Sequence, residues 1–249
     1  MSNFNMYSQY YDLLYRDKNY KEEADYVCNS LKELNPNLKT VLELGCGSGN
    51  HAIFLVSNNI KITGLDLSDT MIAIAKSKNI PDFNPIKTDI THFELNETFD
   101  AAISLFHVVS YLTDNESLIS CLQSVHRHLN PGGFFLFDIW FTPAVYGQKT
   151  ETRVKRLEND SVSIKRVAES ISDTLKNIVT VDFEIEVKEK KTNQIEIIKE
   201  KHPMRHFSIP ELGLLAKLTG FELIKSEEFL TKKIPSEKTW GVCILFKKK

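Results

Sequence analysis

Val41-Leu-Glu-Leu-Gly45-Cys-Gly47-Ser-Gly49-Asn-His51 is the stretch whose reading decides the fold. A strand-like run over residues 40–44 meets three glycines at alternate positions, and a helix pattern over 50–57 follows. Glycines let the backbone pass close to a ligand, and a helix N-terminus offers free N–H groups. A dinucleotide fingerprint wants Gly-x-Gly-x-x-Gly, because its third glycine packs helix on strand. Here the spacing is Gly-x-Gly-x-Gly, and Asn50 stands where that fingerprint continues. Glu43 precedes the turn, where a carboxylate would repel a diphosphate and could hold an ammonium.

Downstream the alternation repeats. Residues 60–65, 85–88, 99–106 and 134–139 read as strands. Residues 68–78, with Ser68 as N-cap, and 114–129 read as helices. Upstream, residues 2–16 read as a short helix or cap. Residues 19–34 read as an amphipathic helix with a stripe of Tyr20, Ala24, Val27, Leu31 and Leu34, ended by Pro36. Strands alternating with helices imply an α/β fold with a doubly wound, mostly parallel sheet. The rhythm breaks at Trp140. Residues 151–207 alternate polar and apolar with period two, which predicts antiparallel strands. Val162, Ile164, Val179, Val181, Phe183 and Ile185 give that layer an apolar face. It needs a cover, which the mouth of the site, the same layer of a second subunit, or both at once can supply. Ser208 and Pro210 then open a helix that stops at Gly220, and 221–229 with 240–246 form an antiparallel closing edge. The expected organisation is an N-terminal helical cap over 1–35, a sheet domain over 36–140 and 208–249, and an inserted antiparallel β layer over 141–207.

Two further strand ends carry carboxylates. Asp66 closes Thr63-Gly-Leu-Asp66, where an acidic residue can accept both hydroxyls of a ribose. Asp89 follows Lys87-Thr, where it can accept adenine amino hydrogens with Ile90 against the ring. A zwitterionic amino-acid tail fits the turn better than a diphosphate, and the three strand ends together point to S-adenosylmethionine. A nicotinamide-dependent reductase would also use an acid at Asp66, and a catalytically silent S-adenosylmethionine-binding protein would show the same set.

The stretches VLELGCGSGNH, ITGLDLSDTMIAIAK, IKTDITHFEL, FDAAISLFHVVSYL and LNPGGFFLFDIW resemble the class I S-adenosylmethionine-dependent methyltransferases over residues 40–140. Tyr11-Asp12, Tyr15 and Lys18-Asn-Tyr20 resemble the N-terminal cap of methyltransferases whose tyrosine reaches the cofactor. Along its whole length the chain is similar to the nucleotide-amino-sugar N,N-dimethyltransferases, including the segment Trp140-Phe-Thr-Pro143. The resemblance implies a seven-stranded, Rossmann-like sheet. It implies cofactor contacts from Tyr11, Tyr15, Glu43, Gly45, Cys46, Gly47, Gly49, His51, Asp66, Leu67, Met71, Asp89, Ile90 and Leu105. It also implies a homodimer.

His107 and Tyr111, after the fourth strand, are the polar groups best placed to touch a nucleophile. In the amino-sugar enzymes the position of Tyr111 is a His or Tyr, and that of His107 has no counterpart. Trp140 and Arg166 are expected to face the acceptor, and Arg166 matches an arginine of the amino-sugar enzymes. Arg153, Arg156 and Arg205 are further arginines for a diphosphate. No Asn/Asp-Pro-Pro-Tyr/Phe motif follows the fourth strand, which lowers planar base nitrogens as acceptors. Residues 1–140 carry 10 basic and 17 acidic side chains, a net of −7, against +5 for the remainder. That balance and the lack of a basic–aromatic face argue against nucleic acid. A small-molecule acceptor remains, with O- or N-methylation of another metabolite as the alternative.

The other signals are weaker. His202 and His206 are four apart, but Pro203 lies between them, so no metal is expected. His126 and His128 are expected to favour a helix dipole. Cys46 is read as a small residue at the turn. The chain has 249 residues, 42% apolar and 26% charged, with four scattered cysteines. No run reaches the ~18 apolar residues of a membrane span, and no signal peptide opens it. We expect a reduced, cytoplasmic protein without membrane contact.

Overall fold

The computed structural model describes residues 7–148 and 151–249, so the part of the expected cap before residue 7 lies outside the described residues. Within them the cap is helix α1 (Tyr7–Leu14) followed by α2 (Tyr20–Leu34), which Asn19 caps through a bond from Glu22 N–H. Leu34, expected on the buried stripe, is 39% exposed, because α2 ends there and Asn35 turns away.

The central sheet has seven strands: β1 (Thr40–Leu44), β2 (Lys61–Asp66), β3 (Phe83–Lys87), β4 (Phe99–Ser104), β5 (Leu129–Trp140), β10 (Phe221–Glu228) and β11 (Gly241–Lys248). Their order is β10-β11-β5-β4-β1-β2-β3. β1 to β5 are parallel and β11 runs antiparallel to β10, as the sequence predicts, and β11 is also antiparallel to β5. The strands are buried on both faces, which explains their nearly continuous apolar runs. Leu42, Leu44, Phe135 and Phe137 pack on one face with α5 (Asn115–His128) and α7 (Ile209–Leu218). Val41, Ile62, Ile103 and Leu136 pack on the other with α2 and α3 (Ala52–Val56). Asp114 caps α5, Ser68 caps α4 (Asp69–Ser77), and Ser208 with Glu211 makes a capping box on α7.

The helix after the glycine turn is shorter than its pattern, and β4 ends at Ser104. Phe106 and His107 have left-handed backbones at φ 64 and 61, which turn the chain into a 3₁₀ segment, Val108–Tyr111. Sequence periodicity also missed α6 (Thr142–Gly147), which is too short to show a repeat.

The insertion is a four-stranded antiparallel meander of β6 (Arg153–Glu158), β7 (Val162–Asp173), β8 (Ile178–Glu189) and β9 (Ile195–Arg205). Ile164, Val179, Val181 and Ile185 are buried, and Val162 and Phe183 are partly buried beside them. Leu14 of α1 covers Leu157, Ile164, Ile185, Val187 and Ile198 at one end of this face. Val145, Trp140 and Trp240 meet Ala168, Val179 and Val181 at the other. One chain therefore covers the layer itself, and the physical need for a second subunit lapses. Register places Arg166 opposite Ile185, Val181 opposite His202 and Phe183 opposite Glu200, so these polar groups share the inner face.

Candidate active site

A single cavity of about 890 Å³ runs from the carboxyl ends of the central strands to the inner face of the insertion. Crevices at this end of a parallel sheet are where such folds bind ligands. Gly45, Cys46, Gly47, His51, Asp66, Leu67, Met71, Asp89, Ile90 and Leu105 border it, with Tyr11 and Tyr15 of the cap.

The three glycines of the turn do different work. A Cβ on Gly45 would lie 2.5 Å from the Val108 side chain, and one on Gly49 would lie 2.8 Å from the Phe83 ring. Gly49 does not border the cavity, so its expected cofactor contact is corrected to a packing role. A Cβ on Gly47 would meet nothing within 4 Å and would occupy the open cradle. The N–H groups of Gly45 and Cys46 are engaged by Leu65 O, that of Gly49 by Cys46 O and that of Gly47 by Asp66 Oδ2. Four donors that a diphosphate would need are thus already engaged.

Asp66 accepts from Gly47 N–H at 2.9 Å and from Ser68 N–H at 2.8 Å, one on each oxygen. Lone pairs remain on both oxygens for two hydroxyls. Burial raises its carboxyl above the ordinary value, against the pull of those backbone bonds. Asp89 Oδ1 caps Thr91 through bonds of 2.8 and 2.7 Å, which leaves the second oxygen for a ligand. The donor set therefore fits S-adenosylmethionine: carboxylates for a ribose and an adenine amino group, apolar Ile90, Leu67 and Met71, and a cradle at Gly47.

Glu43 departs from its expected role. It points to the α2–α3 face of β1, is 1% exposed, and does not border the cavity. Burial, and then the charge of Asp66, push its carboxyl up to about 8. Facing away from the cavity, it offers no direct grip for an ammonium. Its neighbour His51 sits 3.7 Å from Glu43 Oε1 and 2.8 Å from Glu23 Oε2, and Glu23 also pairs with Lys18. Cys46 is buried and its thiol is pushed well above the usual range, so it is a turn residue and no nucleophile.

Asp12 anchors the cap, a role the sequence did not reveal. It accepts from Ser48 Oγ at 2.7 Å and Asn50 Nδ2 at 2.9 Å, and Lys78 Nζ stands 2.9 Å away. These bonds lash α1 to the glycine turn and place Tyr11 and Tyr15 over the cradle.

The far half of the cavity is roofed by Ala168, Val179, Val181 and Met204, with Trp140, Trp240 and Val145 at its side. His107 and Tyr111 border the junction. His107 Nδ1 lies 2.9 Å from Asp138 Oδ2, and its N–H donates to Asp138 Oδ1 at 3.0 Å. Burial raises the Asp138 carboxyl, but His107 outweighs it and holds the group below the ordinary value. Asp138, on β5, was not singled out because its partner is thirty-one residues away. Tyr111 Oη lies 2.9 Å from His202 Nδ1. Arg166 donates to Tyr15 Oη at 3.1 Å and lies over the Phe183 ring at 4.9 Å. Arg153 also reaches the cavity, whereas Arg205 is held by Asn115 and Glu211 and Arg156 is exposed elsewhere.

Two histidine readings change. His128 accepts from Leu95 N–H and shares its other nitrogen with Ser124 O, so it is a neutral link and no dipole partner. Burial and Lys248 lower the affinity of His126 for a proton. Among the described residues, no cluster of His, Cys, Asp or Glu is arranged to hold a metal. Among them, too, no helix is long and apolar enough to cross a membrane.

A methyltransferase-domain family profile matches residues 41–133. The dTDP-3-amino-3,4,6-trideoxy-alpha-D-glucopyranose N,N-dimethyltransferase of Streptomyces venezuelae is 30% identical over 70% of this chain and 74% of its own. An S-adenosylmethionine-dependent methyltransferase from Clostridium acetobutylicum matches in structure with a TM-score of 0.82, 22% identity and 98% of each chain covered. CalS10 of Micromonospora echinaspora, an amino pentose methyltransferase solved with S-adenosylmethionine bound, matches with a TM-score of 0.77 and 21% identity, over 100% and 99% of the two chains. These two likenesses establish the fold. The chain belongs to the S-adenosylmethionine-dependent methyltransferases, and S-adenosylmethionine is its cofactor. Within that class its relatives include the dTDP-amino-sugar N,N-dimethyltransferases.

Proposed function

We propose that the acceptor is the amine of a nucleotide-linked amino sugar, bound between the strand ends and the inserted β layer. The observation that carries this reading is the polar pair Tyr111 and His202, set beside Val179, Val181 and Met204 in the roof of the far compartment. A sugar amine is largely protonated near neutrality and must lose a proton before it attacks, and the pair offers a hydrogen-bonding station for that proton. The names of the similar enzymes, which act on dTDP-linked amino sugars, support the same class.

S-adenosylmethionine, when bound, supplies a methyl group already activated by the sulfonium. The protein then has to align the amine and exclude water. Asp66, Asp89, Ile90 and Met71 hold the nucleoside end, and the Gly47 cradle and the Leu105 segment hold the amino-acid tail. Tyr11 and Tyr15 close over it from the cap. Tyr111 contacts the amine. His107, fixed by Asp138, forms the wall beside Trp140 and orients the sugar. Arg166 and Arg153 receive the anionic end, while the cap, the meander and the sheet domain meet at this one cavity. A homodimer belongs to this reading, through edge strand β9, whose Ile195 and Ile197 are 58% and 56% exposed. Light scattering tests it, since a mass near 28.6 kDa means a monomer.

The acceptor is tested with paired nucleotide sugars that differ only in an amine or a hydroxyl at one ring carbon. The reading requires transfer to the amine and none, or far less, to the hydroxyl. Preferential methylation of the hydroxyl would replace it with an O-methyltransferase.

A further inference from the structure

Tyr111, His202 and Glu200 form a chain of side chains drawn from two parts of the fold. Tyr111 closes the 3₁₀ segment after β4. Glu200 and His202 stand two apart on β9 and so face the same side of the meander. Tyr111 Oη is 2.9 Å from His202 Nδ1, and His202 Nε2 is 3.0 Å from Glu200 Oε2. The His202 side chain is 1% exposed and that of Glu200 9%. Tyr111 and His202 border the cavity, and Glu200 lies behind them. Phe183 packs edge-on against the imidazole with ring centres 5.0 Å apart, which holds its plane.

Chemistry orders the donors. A carboxylate only accepts, so the hydrogen shared with Glu200 sits on His202 Nε2. A neutral His202 then offers its Nδ1 lone pair, and the Tyr111 hydroxyl donates to it. Burial, with Tyr15 and Glu200, pushes the Tyr111 hydroxyl far above its ordinary value. A free tyrosinate is therefore not available as a base near neutral pH. Tyr111 can take up a proton only while it gives its own away, and Nδ1 stands where that proton must go.

We propose that Tyr111, His202 and Glu200 form a proton relay for the acceptor amine, with Tyr111 touching the amine and His202 and Glu200 as positioning residues that act through it. This rests on the amine reading above. An N–H bond of the ammonium breaks and its electron pair stays on nitrogen as the attacking lone pair. Tyr111 oxygen receives that proton as its own passes to His202 Nδ1. His202 becomes an imidazolium, and the Glu200 carboxylate supplies the opposite charge that a buried cation needs. When product leaves, the same path runs backwards to water in the emptied cavity.

Two measurements test it. In protein with ¹⁵N-labelled histidine, assigned with His202→Asn, Nε2 should appear protonated and Nδ1 unprotonated near neutral pH. Tyr111→Phe should shift the Nδ1 resonance. A reversed tautomer, or an Nδ1 signal indifferent to Tyr111→Phe, overturns the relay whatever the acceptor proves to be. The second measurement compares His202→Ala with His202→Asn in steady state. Asparagine can hold the Tyr111 hydroxyl through an oxygen near the Nδ1 position, but it cannot take a proton. The relay predicts that both variants lower kcat by roughly 100- to 10,000-fold, with acceptor KM and cofactor affinity nearly unchanged. Glu200→Gln should lower kcat less, again without a change in KM. Recovery of the wild-type rate in His202→Asn would reduce His202 to a structural prop. If the wild type methylates no amine, the amine reading fails, and the nitrogen resonances still decide the hydrogen-bond order.

Discussion

Replacing Gly47 and Gly49 by alanine, one at a time, should damage the protein in two different ways. Both have positive φ, +53 and +79, so any Cβ there costs about 1–2 kcal/mol of backbone strain. At Gly49 the new methyl also lies 2.8 Å from the Phe83 ring and 3.2 Å from Ile80, and such overpacking adds about 1–3 kcal/mol. Gly49→Ala should therefore lose about 2–5 kcal/mol, a fall in Tm of roughly 4–20 °C at about 2–4 °C per kcal/mol. Gly47→Ala meets no protein atom, so its fall should be roughly 2–8 °C. Its methyl stands in the cradle, and S-adenosylmethionine should bind at least about tenfold more weakly, or about 1.4 kcal/mol. Thermal melting and calorimetry, the latter at a temperature where both variants are folded, separate the two. Wild-type affinity in Gly47→Ala, or lost affinity in folded Gly49→Ala, would refute the division of labour in the turn.

Asp66→Ala should weaken cofactor binding by about 1–3 kcal/mol in calorimetry, through lost charge-assisted bonds to the ribose. Unchanged affinity would remove the ribose assignment. His107→Leu removes the imidazole beside Asp138 but keeps the bond from the backbone N–H of residue 107, and should cost about 1–3 kcal/mol at pH 7 in urea denaturation. Asp138 has a depressed folded value, so in the wild type its contribution is present above the unfolded carboxylate value and is lost as pH falls through the folded one. The variant's deficit should shrink on acidification, because Asp138 without the imidazole takes a proton more readily, and a constant deficit would deny the pairing. Arg166→Ala should raise KM for an anionic acceptor with cofactor affinity unchanged. Unaltered acceptor kinetics would make Arg166 a packing residue against Tyr15 and Phe183.

The parallel sheet was legible because each strand–helix unit carries its own local signals, such as the Ser68, Asp114 and Ser208 caps. The proposed cofactor contacts carried local signals for the same reason: Asp66 ends β2, and Gly47 and Asp89 lie within three residues of the ends of β1 and β3. The acceptor end did not, because it depends on register between strands far apart in sequence. His202 faces Tyr111 only because β8 places Val181 opposite His202. A slip of one residue would turn that imidazole outward. Asp138 likewise becomes meaningful only when β4 and β5 lie side by side and Phe106 and His107 take left-handed backbones. Glu43 misled because its position before the glycines is the same whether the side chain points to a ligand or, as here, to His51.

We propose that cofactor and acceptor share one cavity, with Asp66 and Asp89 at one end and the inner face of the β meander at the other. A crystal structure with S-adenosylhomocysteine and a dTDP-linked amino sugar tests this most directly. The expected result is the ribose on Asp66, the adenine beside Asp89 and Ile90, and the sugar amine within hydrogen-bond distance of Tyr111 Oη beneath Val179 and Val181. An amino sugar seated outside this cavity, or an amine turned away from Tyr111 toward solvent, would contradict it.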